Sequence, residues 1–523
     1  MGVMRRNLWV LVACLGACGG GGGSSDDGAA DDGDGDDDGD STPDAGLVCD
    51  PGAGGPYWLT EGETVVVRAE CGTGLADAEL AIEPVPEGAV WDADASTLTW
   101  TPGLDQAAVY ELDVTGGGEV GRVKIGVADR WDDPDNVPVD PVTYTEEYGL
   151  PVFHLTTDPG VNGDDYTTAT IIYRGHSYAD TEAKNRGASS LDYPKKSFTL
   201  KFSRDDKMSD EAKQFVGKRK VVLNTTFDDN SYLRQRLVFE LWNRLDPGHL
   251  QVQHYSAVLF LNGAYHGVYE VLDHVDGYLM EDHGYRQDGN LYKAITHDAN
   301  FRLVGLEGDD KVTLHDGYEK KEGAPIEGAP DAFADLEDLV EWVATSSPAE
   351  FAADLDARID RRDFEDWWLL VSLVEADDSA GKNSYLYHDP LAGGPFRAVP
   401  WDFNSSFGQD WETIRQPPDA DPDEYVWANE VFERLLGDPS TADPLHARFR
   451  DALAGVWQVD GVLAFFDGWV AEMDAAVRRD EERWGAEYAS YWGERTDLTS
   501  YAQEIEYVRA WIQERWAIAA ARY

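Results

Sequence analysis

Asp378-Ser379-Ala380-Gly381-Lys382-Asn383, followed after a short apolar stretch by Trp401-Asp402-Phe403-Asn404, is the part of the 523-residue chain that decides the fold. Protein kinases place a catalytic Asp five residues before a metal-binding Asn, and after two strands they supply a second Asp that holds Mg²⁺. Asp378, Asn383 and Asp402 have this order. The stretch therefore predicts a phosphoryl-transfer site, with Asp378 as the catalytic carboxylate and the other two residues as metal ligands.

The residues around Asp378 favour this assignment and leave alternatives open. An apolar helix predicted over Trp367 to Val374 would present Asp378 at its end. Asp377 is the alternative base, although the five-residue step to Asn383 favours Asp378. Both carboxylates can also be read as groups that merely solvate a helix end. Asn404 is a candidate for a further oxygen donor, since Mg²⁺ prefers hard oxygen ligands.

The composition predicts a mostly folded protein with an acidic surface. Apolar residues make up 42% of the chain, which contains 18 Trp, and the net charge is −57. Such a charge repels nucleic acid and anionic membranes. Solvation in a salty or extracellular setting explains the excess of acidic residues better than a specific cationic partner.

The first 18 residues predict a secretory signal. Arg5-Arg6 and an apolar run precede Leu15-Gly16-Ala17-Cys18, which resembles a bacterial lipobox in which the cysteine is acylated. Lipid on Cys18 would anchor the chain to a membrane, and the expected location is the outer membrane or the cell surface. Ordinary cleavage of a soluble secreted protein is the alternative.

Residues 19–47 are rich in Gly, Ser and Asp and predict a disordered tether, because they cannot bury enough apolar surface to order themselves. Cys14 leaves with the signal and Cys18 would carry lipid. Cys49 and Cys71 are then the remaining thiols, and in an oxidising compartment they predict a disulfide.

Residues 48–130 show short alternating strands, such as Thr64 to Arg68 and Val109 to Val114, separated by turn residues. This pattern predicts a small β-sandwich. The stretch from Ala89 to Gly103 resembles immunoglobulin- or cadherin-like modules of bacterial surface proteins, which usually act as spacers. The Asp- and Pro-rich stretch from Asp129 to Asp140 is interpreted as a linker.

Residues 131–523 predict a larger domain with strands first and helices later. A helix is expected from about Tyr232 to Arg244, and strands are expected over Ala257 to Leu261 and Gly267 to Leu272, with Asn262-Gly263 as a hairpin turn. The predicted fold class is α+β, with a two-lobed body preceded by the small sandwich.

Four blocks in this order resemble the CotH kinase family, which is named for a bacterial spore-coat protein. The blocks are Arg186-Gly-Ala-Ser-Ser190, Tyr193-Pro-Lys-Lys-Ser-Phe198, Leu261-Asn-Gly-Ala-Tyr-His-Gly-Val-Tyr269 and Pro400-Trp-Asp-Phe403. The resemblance covers roughly Val152 to Trp411. It implies an atypical protein-kinase-like fold that binds ATP with Mg²⁺, or Mn²⁺ in its place, and phosphorylates protein side chains.

The family pattern favours Lys196, directly before Ser197, as the lysine that pairs with phosphate. Lys195 should point to the opposite sheet face, because side chains alternate along a strand. In protein kinases a helix glutamate holds this lysine. Glu240 could do so here, although Arg234 on the same predicted helix could instead contact phosphate.

No Gly-x-Gly-x-x-Gly sequence precedes Lys196. Arg186, Ser189 and Ser190 are the candidate substitutes, since small residues allow backbone amides to approach phosphate closely. An ordinary loop is the alternative. His254, His266, His274 and His297 match no zinc spacing and are not expected to bind metal.

The sequence therefore predicts a secreted, lipid-anchored kinase that transfers the γ-phosphate of ATP to Ser or Thr of exported or surface proteins. ATP is scarce outside the cytoplasm, so action before export or another phosphoryl donor would be needed. The alternative is a non-catalytic surface adhesin or envelope-assembly module that binds protein partners or Ca²⁺.

Overall fold

The computed structural model describes residues 50–72, 79–157, 165–419, 422–493 and 500–523. The predicted signal with Cys18, the predicted tether and Cys49 lie outside these ranges. Cys71 is disulfide-bonded. Next to it, the Gly72 N–H donates to the Asp50 carbonyl at 2.8 Å.

The strands before residue 130 form two main sheets that share one hydrophobic core, and a separate two-stranded pair. They are β1 (Pro51–Gly52), β2 (Tyr57–Thr60), β3 (Val65–Arg68), β4 (Glu70–Cys71), β5 (Ala81–Glu83), β6 (Val90–Asp92), β7 (Thr97–Trp100), β8 (Ala108–Gly116) and β9 (Glu119–Ala128). One sheet has the order β2-β9-β8-β5, the other has the order β3-β7-β6, and β1 pairs with β4. Along β7, Leu98 and Trp100 are buried and Thr99 is exposed, because successive side chains point to opposite faces. Both sheets contribute to this core, which also includes Leu112 of β8.

The stretch from Asp129 to Asp140 was interpreted as a linker. Its first residue nevertheless makes a buried contact with the helical C-terminal part of the chain. The Arg479 guanidinium donates to the Asp129 carbonyl at 2.6 Å and to Glu147 Oε1 at 2.8 Å. Glu147 is fully buried, and its other oxygen accepts from the Tyr144 hydroxyl at 2.6 Å. Pro and Asp in this stretch prevent regular structure, but they do not prevent its packing. The sequence did not predict this contact, because Arg479 is far from Asp129 in the chain and no local pattern indicates such a pairing.

The next part of the chain forms a sheet that closes on itself. Its strands, with the small pair β15 and β16, are β10 (Glu146–Glu147), β11 (Leu150–Thr157), β12 (Thr167–Tyr173), β13 (His176–Arg186), β14 (Ser197–Lys201), β15 (Met208–Asp210), β16 (Phe215–Lys218), β17 (Lys220–Asn224), β18 (His254–Leu261) and β19 (Ala264–Asp273). The order is β10-β11-β12-β13-β14-β17-β19-β18, and β18 also pairs with β11 in parallel. One face holds its own core, which includes Leu200 and Leu223. Alternate positions such as Val222 and Val268 join the larger core shared with the helices.

Two predicted elements of this region are confirmed. Helix α1 (Arg234–Leu245) covers most of the predicted range, and its Leu237 and Leu241 are fully buried. Strands β18 and β19 form the predicted hairpin. Its turn has φ of +52° at Asn262 and +81° at Gly263, which is the left-handed backbone that an Asn-Gly turn supplies.

The remainder of the chain is mainly helical, with one four-stranded sheet of order β21-β20-β22-β23. Its elements are α2 (Gly277–Asp282), β20 (Asn290–Ala294), β21 (Tyr318–Glu322), α3 (Ala334–Thr345), α4 (Pro348–Arg358), α5 (Arg361–Val374), β22 (Ser384–His388), β23 (Arg397–Pro400), α6 (Glu430–Leu436), α7 (Pro439–Ala454), α8 (Val459–Tyr491) and α9 (Tyr501–Arg522). The predicted α+β class is confirmed. The Trp-rich C-terminal helices contribute core residues, including Trp457, Trp511 and Trp516. None of the helices described combines the length and apolar character needed to cross a membrane.

A buried ion pair joins the closed sheet to α8. Lys195 Nζ lies 2.6 Å from Asp480 Oδ1 and 2.7 Å from the Val268 carbonyl oxygen. Both charged side chains are almost fully shielded from solvent. Burial lowers the pKa of Lys195, and the Asp480 charge acts in the opposite direction. Removing one partner of such a pair leaves the other charge buried without compensation, which costs about 3–5 kcal/mol.

Lys195→Met is therefore expected to lower the free energy of unfolding by about 3 kcal/mol. Asp480 would keep only the donors of Tyr232 O–H and Val268 N–H. Lys321→Met is the control, because its ion pair with Glu319 is exposed and should contribute less than about 1 kcal/mol. Urea denaturation of the full chain measures both variants, and equal midpoints would contradict the expectation.

Candidate active site

The local backbone brings the three opening residues together. Helix α5 ends at Val374, and a short 3₁₀ turn over Asp377–Ser379 follows. Strands β22 and β23 then form a hairpin in which Ser384 lies opposite Pro400. The residues just outside this pair are consequently neighbours, and the Trp401 N–H donates to the Asn383 carbonyl at 2.8 Å. Asn383 and Asp402 both have left-handed backbone, with φ of +57° and +64°.

Asp378 is surrounded by donors and cations. Its Oδ2 accepts from Asn383 Nδ2 at 2.9 Å, and its Oδ1 lies 2.6 Å from Lys382 Nζ and 3.4 Å from His297 Nε2. Burial acts to raise the pKa of Asp378, but the hydrogen bonds from His297 and Lys382 outweigh it and hold that pKa below its usual value. The carboxyl group is therefore ionised at neutral pH and can accept a hydrogen bond from an incoming hydroxyl.

The alternative base, Asp377, is oriented differently. Its Oδ1 accepts from Ser405 Oγ at 3.1 Å. Burial and the charge of Asp378 raise the pKa of Asp377. The bond between Asp378 and Asn383 therefore favours Asp378 for the catalytic role, as the spacing did.

The side-chain oxygens of Asp402 and Asn383 that face the site have no protein donor among the residues described. Asn383 turns its Nδ2 toward Asp378, so its Oδ1 accepts no hydrogen bond from the described residues. The partly buried Asp402 carboxylate likewise receives no hydrogen bond or ion pair from them; only its backbone carbonyl is bonded, to Ser379 Oγ at 2.7 Å. Oxygen donors left without protons fit a hard cation such as Mg²⁺. No cluster of three or more His, Cys, Asp or Glu suited to a metal occurs in the described ranges.

Two cationic side chains lie beside Asp402. Lys293 on β20 and Arg186 at the end of β13 make no ion pair within the parts of the chain that the structure describes; Lys293 Nζ lies 5.9 Å from the Tyr385 ring centroid and Arg186 lies 5.6 Å from that of Trp401. Burial raises the pKa of Asp402, while Lys293 and Arg186 oppose this rise. In a chain of net charge −57, unpaired cations mark a place for an anionic ligand.

Lys293 was not found from the sequence. It lies on a strand whose other residues are all buried, and burial lowers its pKa, as does the Arg186 charge. A lysine within an apolar strand is unusual and needs a reason. A lysine among the apolar residues of this strand was therefore the feature of the sequence that could have indicated a functional role for Lys293.

The structure does not bring Lys196 to this place. Its Nζ donates to the Leu191 carbonyl oxygen, and Lys195 is paired with Asp480. Ser189 and Ser190 lie in a 3₁₀ turn that begins two residues after Gly187. Gly187 has φ of +117°, and a Cβ there would meet Ser190 Oγ at 1.7 Å, so this loop requires glycine for its own conformation.

Glu240 and Arg234 have partners other than the predicted ones. Glu240 is bonded to Arg244 and lies 3.3 Å from His254 Nε2. Burial acts to raise its pKa, but these bonds lower the pKa of Glu240 to about 2. Arg234 is fully buried and forms 2.6 Å ion pairs with Asp229 and with Glu504. Neither side chain reaches Lys196 or a place for phosphate, because α1 turns both toward internal partners.

Asp228 is a further carboxyl group near Asp402. Its Oδ2 accepts from Asn404 Nδ2 at 3.0 Å, and the Tyr193 hydroxyl lies 3.4 Å away. Burial and the charges of Asp402 and Asp229 raise the pKa of Asp228 to about 7. The amide nitrogen of Asn404 is thus engaged by Asp228.

Comparison with known proteins identifies the family of the chain. The profile of a family described as CotH kinase protein matches residues 183–518, which is more than half of the chain and includes the C-terminal helices. Inner spore coat protein H of Bacillus subtilis (strain 168) is 28% identical over 257 residues, covering 49% of this chain and 67% of that protein. Family membership indicates a protein-kinase-like function. The chain belongs to the CotH kinase family.

Proposed function

We propose that this protein is a kinase that transfers the γ-phosphate of ATP to Ser or Thr hydroxyls of exported or surface proteins, with Mg²⁺ or Mn²⁺ as its cofactor. One observation carries the proposal. Among the residues that the structure describes, the side-chain oxygens of Asp402 and Asn383 have no donor, and they lie with Lys293 and Arg186, which have no ion-pair partner. Together they supply a cation site and an anion site side by side, as a metal-bound nucleotide requires.

The two-lobed arrangement of a kinase is part of this proposal. The closed sheet with α1 would form one lobe, and the sheet of β20–β23 with the later helices would form the other. Arg186 comes from the first and Lys293 and Asp402 come from the second. The preceding pair of sheets would be the predicted Ig- or cadherin-like sandwich, acting as a spacer.

The residues have distinct roles in the proposed transfer. A bound Mg²⁺ would neutralise phosphate charge as the transfer proceeds. Lys293 and Arg186 would hold phosphate oxygens, and Asp378 would accept a hydrogen bond from the substrate hydroxyl. That oxygen forms a bond to the γ-phosphorus as the bond to the leaving ADP oxygen breaks, and its proton passes to Asp378.

Export and lipid anchoring through Cys18 remain parts of the proposal. The lipobox-like sequence and the acidic tether support them. The relative named for the inner spore coat also supports an exported or surface location. Because ATP is scarce outside the cytoplasm, the proposal includes action before export or use of another phosphoryl donor.

A radiolabelled ATP assay tests the function. The full chain is incubated with Mg²⁺ or Mn²⁺ and candidate protein acceptors, and phosphate on Ser or Thr is measured. The proposal is supported if radioactive phosphate is incorporated into the acceptor only when metal is present, and if this incorporation is lost in Asp402→Ala and Asp378→Ala. Absence of nucleotide binding by calorimetry, together with binding of Ca²⁺, would instead support the adhesin alternative.

Lys293→Met is expected to weaken ATP binding by about tenfold, because it removes a charge-assisted contact to phosphate worth about 1.5 kcal/mol or more. Calorimetry in the presence of Mg²⁺ measures the dissociation constant. Lys321→Met on the neighbouring strand β21 is the matched control, since Lys321 is engaged by Glu319. An unchanged affinity in Lys293→Met would remove Lys293 from the nucleotide site.

A further inference from the structure

Glu270 is a buried carboxyl group in the middle of β19 that has no role in the transfer described above. It is 2% exposed and lies opposite Asn224 of β17 and Ser256 of β18. Its Oε2 accepts from Gln235 Nε2 at 2.9 Å and from Asn224 Nδ2 at 3.4 Å. Its Oε1 is buried without a hydrogen-bond partner in the described part of the chain. Burying a carboxyl group with one unsatisfied oxygen is costly, so the presence of Glu270 and the bonds of its Oε2 need a reason beyond packing.

The peptide group that follows Asp402 is held from both sides. Its carbonyl accepts from Ser379 Oγ at 2.7 Å, and its N–H, which belongs to Phe403, donates to Gln235 Oε1 at 3.2 Å. Because a peptide group is planar, these two bonds fix its rotation. That rotation sets ψ at Asp402 and so helps to hold the residue in left-handed backbone, with φ of +64°, a strained state that persists only where its surroundings enforce it.

The orientation of the Gln235 amide follows from its neighbours. The Phe403 N–H can only donate, so the amide oxygen must face it. The amide nitrogen then needs an acceptor, because Gln235 is itself buried. Glu270 Oε2 supplies that acceptor.

We propose that Glu270 is a positioning residue for Asp402, because it holds the Gln235 amide in the orientation that anchors the Phe403 N–H and so sets the direction of the Asp402 carboxylate. The inference rests on the proposed function, in which Asp402 binds the metal. Glu270, on the closed sheet, would orient Asp402, the metal ligand next to the hairpin of β22 and β23. The connection runs from β19 through α1 to the end of β23.

The protonation state of Glu270 does not change this role. Burial raises the pKa of Glu270 to about 8, although the Arg236 charge opposes the rise. A proton on the unpartnered Oε1 leaves Oε2 free to accept from Gln235. Glutamine at this position can present the same acceptor oxygen, whereas methionine cannot.

Three substitutions test the proposal in the nucleotide-free full chain. Glu270→Met and Gln235→Met are each expected to weaken Mn²⁺ binding by about tenfold, and Glu270→Gln is expected to stay within about twofold of the unsubstituted protein. The two Met substitutions act through one connection, so the double variant should be little weaker than either single variant. Electron paramagnetic resonance of free Mn²⁺ measures the affinities.

A matched control lies on the same strand. Asp273 is also buried on β19, but its carboxylate lies 3.0 Å from Lys218 Nζ and accepts from the Gln253 N–H at 3.0 Å. Asp273→Asn is expected to leave Mn²⁺ affinity unchanged. A tenfold loss in this variant too would show a general effect of buried carboxyl groups and overturn the specific role of Glu270.

Amide hydrogen exchange gives a readout independent of metal and activity. The Phe403 amide is expected to exchange faster in Glu270→Met and Gln235→Met than in the unsubstituted protein, and at the same rate in Glu270→Gln. Unchanged exchange at Phe403 in Glu270→Met overturns the proposal. If the unsubstituted protein binds no Mn²⁺, the metal role of Asp402 is overturned instead. In that case the exchange rate at Phe403 is the measurement that shows whether Glu270 anchors this peptide group.

Discussion

Asp402→Asn is expected to slow phosphoryl transfer from ATP by at least about a thousandfold. Charge stabilisation by a bound metal contributes several kcal/mol to such reactions, and each 1.36 kcal/mol is about a factor of ten in rate. Asparagine has nearly the same shape as aspartate and tolerates left-handed backbone. The loss therefore reports the missing charge rather than a rearranged hairpin. Initial rates with radiolabelled ATP and Mg²⁺ measure it.

The same substitution separates metal binding from folding. Without metal, Asp402→Asn should be at least as stable as the unsubstituted protein, because burial raises the pKa of Asp402 and ionising it opposes folding. Stability of the metal-free unsubstituted protein should accordingly fall as pH rises through that pKa, and the variant should lack this fall. Mn²⁺ should raise the melting temperature of the unsubstituted protein only.

Asp331→Asn is the matched control for Asp402. Asp331 is exposed and also has left-handed backbone, with φ of +61°. Asp331→Asn therefore makes the same chemical change in the same backbone conformation, but outside the candidate site. Its transfer rate should equal that of the unsubstituted protein. Retention of more than about a tenth of the rate in Asp402→Asn would contradict the metal role of Asp402.

The parts of the site that were predictable are those governed by local structure. Asp378 and Asn383 are separated by one short turn, and the hairpin of β22 and β23 returns the chain to place Asp402 beside Asn383. Such geometry follows from helix ends and strand register, which sequence patterns express. The hairpin at Asn262-Gly263 was predictable for the same reason.

The parts that were not predictable depend on contacts between distant residues. Lys195 and Lys196 are adjacent, and the direction of Lys195 is decided by Asp480, which lies 285 residues away in the chain. Glu240 meets His254 at the start of β18 rather than Lys196 just before β14. Lys293 joins the site only because β20 pairs with β22. None of these pairings has a local signature, because side-chain partners across a core are set by tertiary packing.

Asp378→Asn is expected to lower kcat by about 10²- to 10⁴-fold, the usual contribution of a positioned proton acceptor. The KM for ATP should change little, since Asp378 contacts the incoming hydroxyl in the proposed mechanism rather than the nucleotide. Asp377→Asn is the matched control, because Asp377 is bonded to Ser405 instead. Steady-state kinetics with a protein acceptor measure both variants. Equal losses of kcat in the two variants would contradict the assignment of Asp378.

The pH profile tests how Asp378 is kept ready to accept a proton. Lys382 and His297 hold its pKa below the usual value, so the unsubstituted protein should keep Asp378 ionised down to acidic pH. Lys382→Met removes one of these two groups and raises the pKa of Asp378, which lowers the ionised fraction of Asp378 as pH falls. The ratio of kcat at pH 5 to kcat at pH 8, at saturating ATP, should therefore be smaller in Lys382→Met. An identical ratio in the two proteins would show that Lys382 does not control the ionisation of Asp378, and its 2.6 Å contact would then serve only to orient the carboxylate.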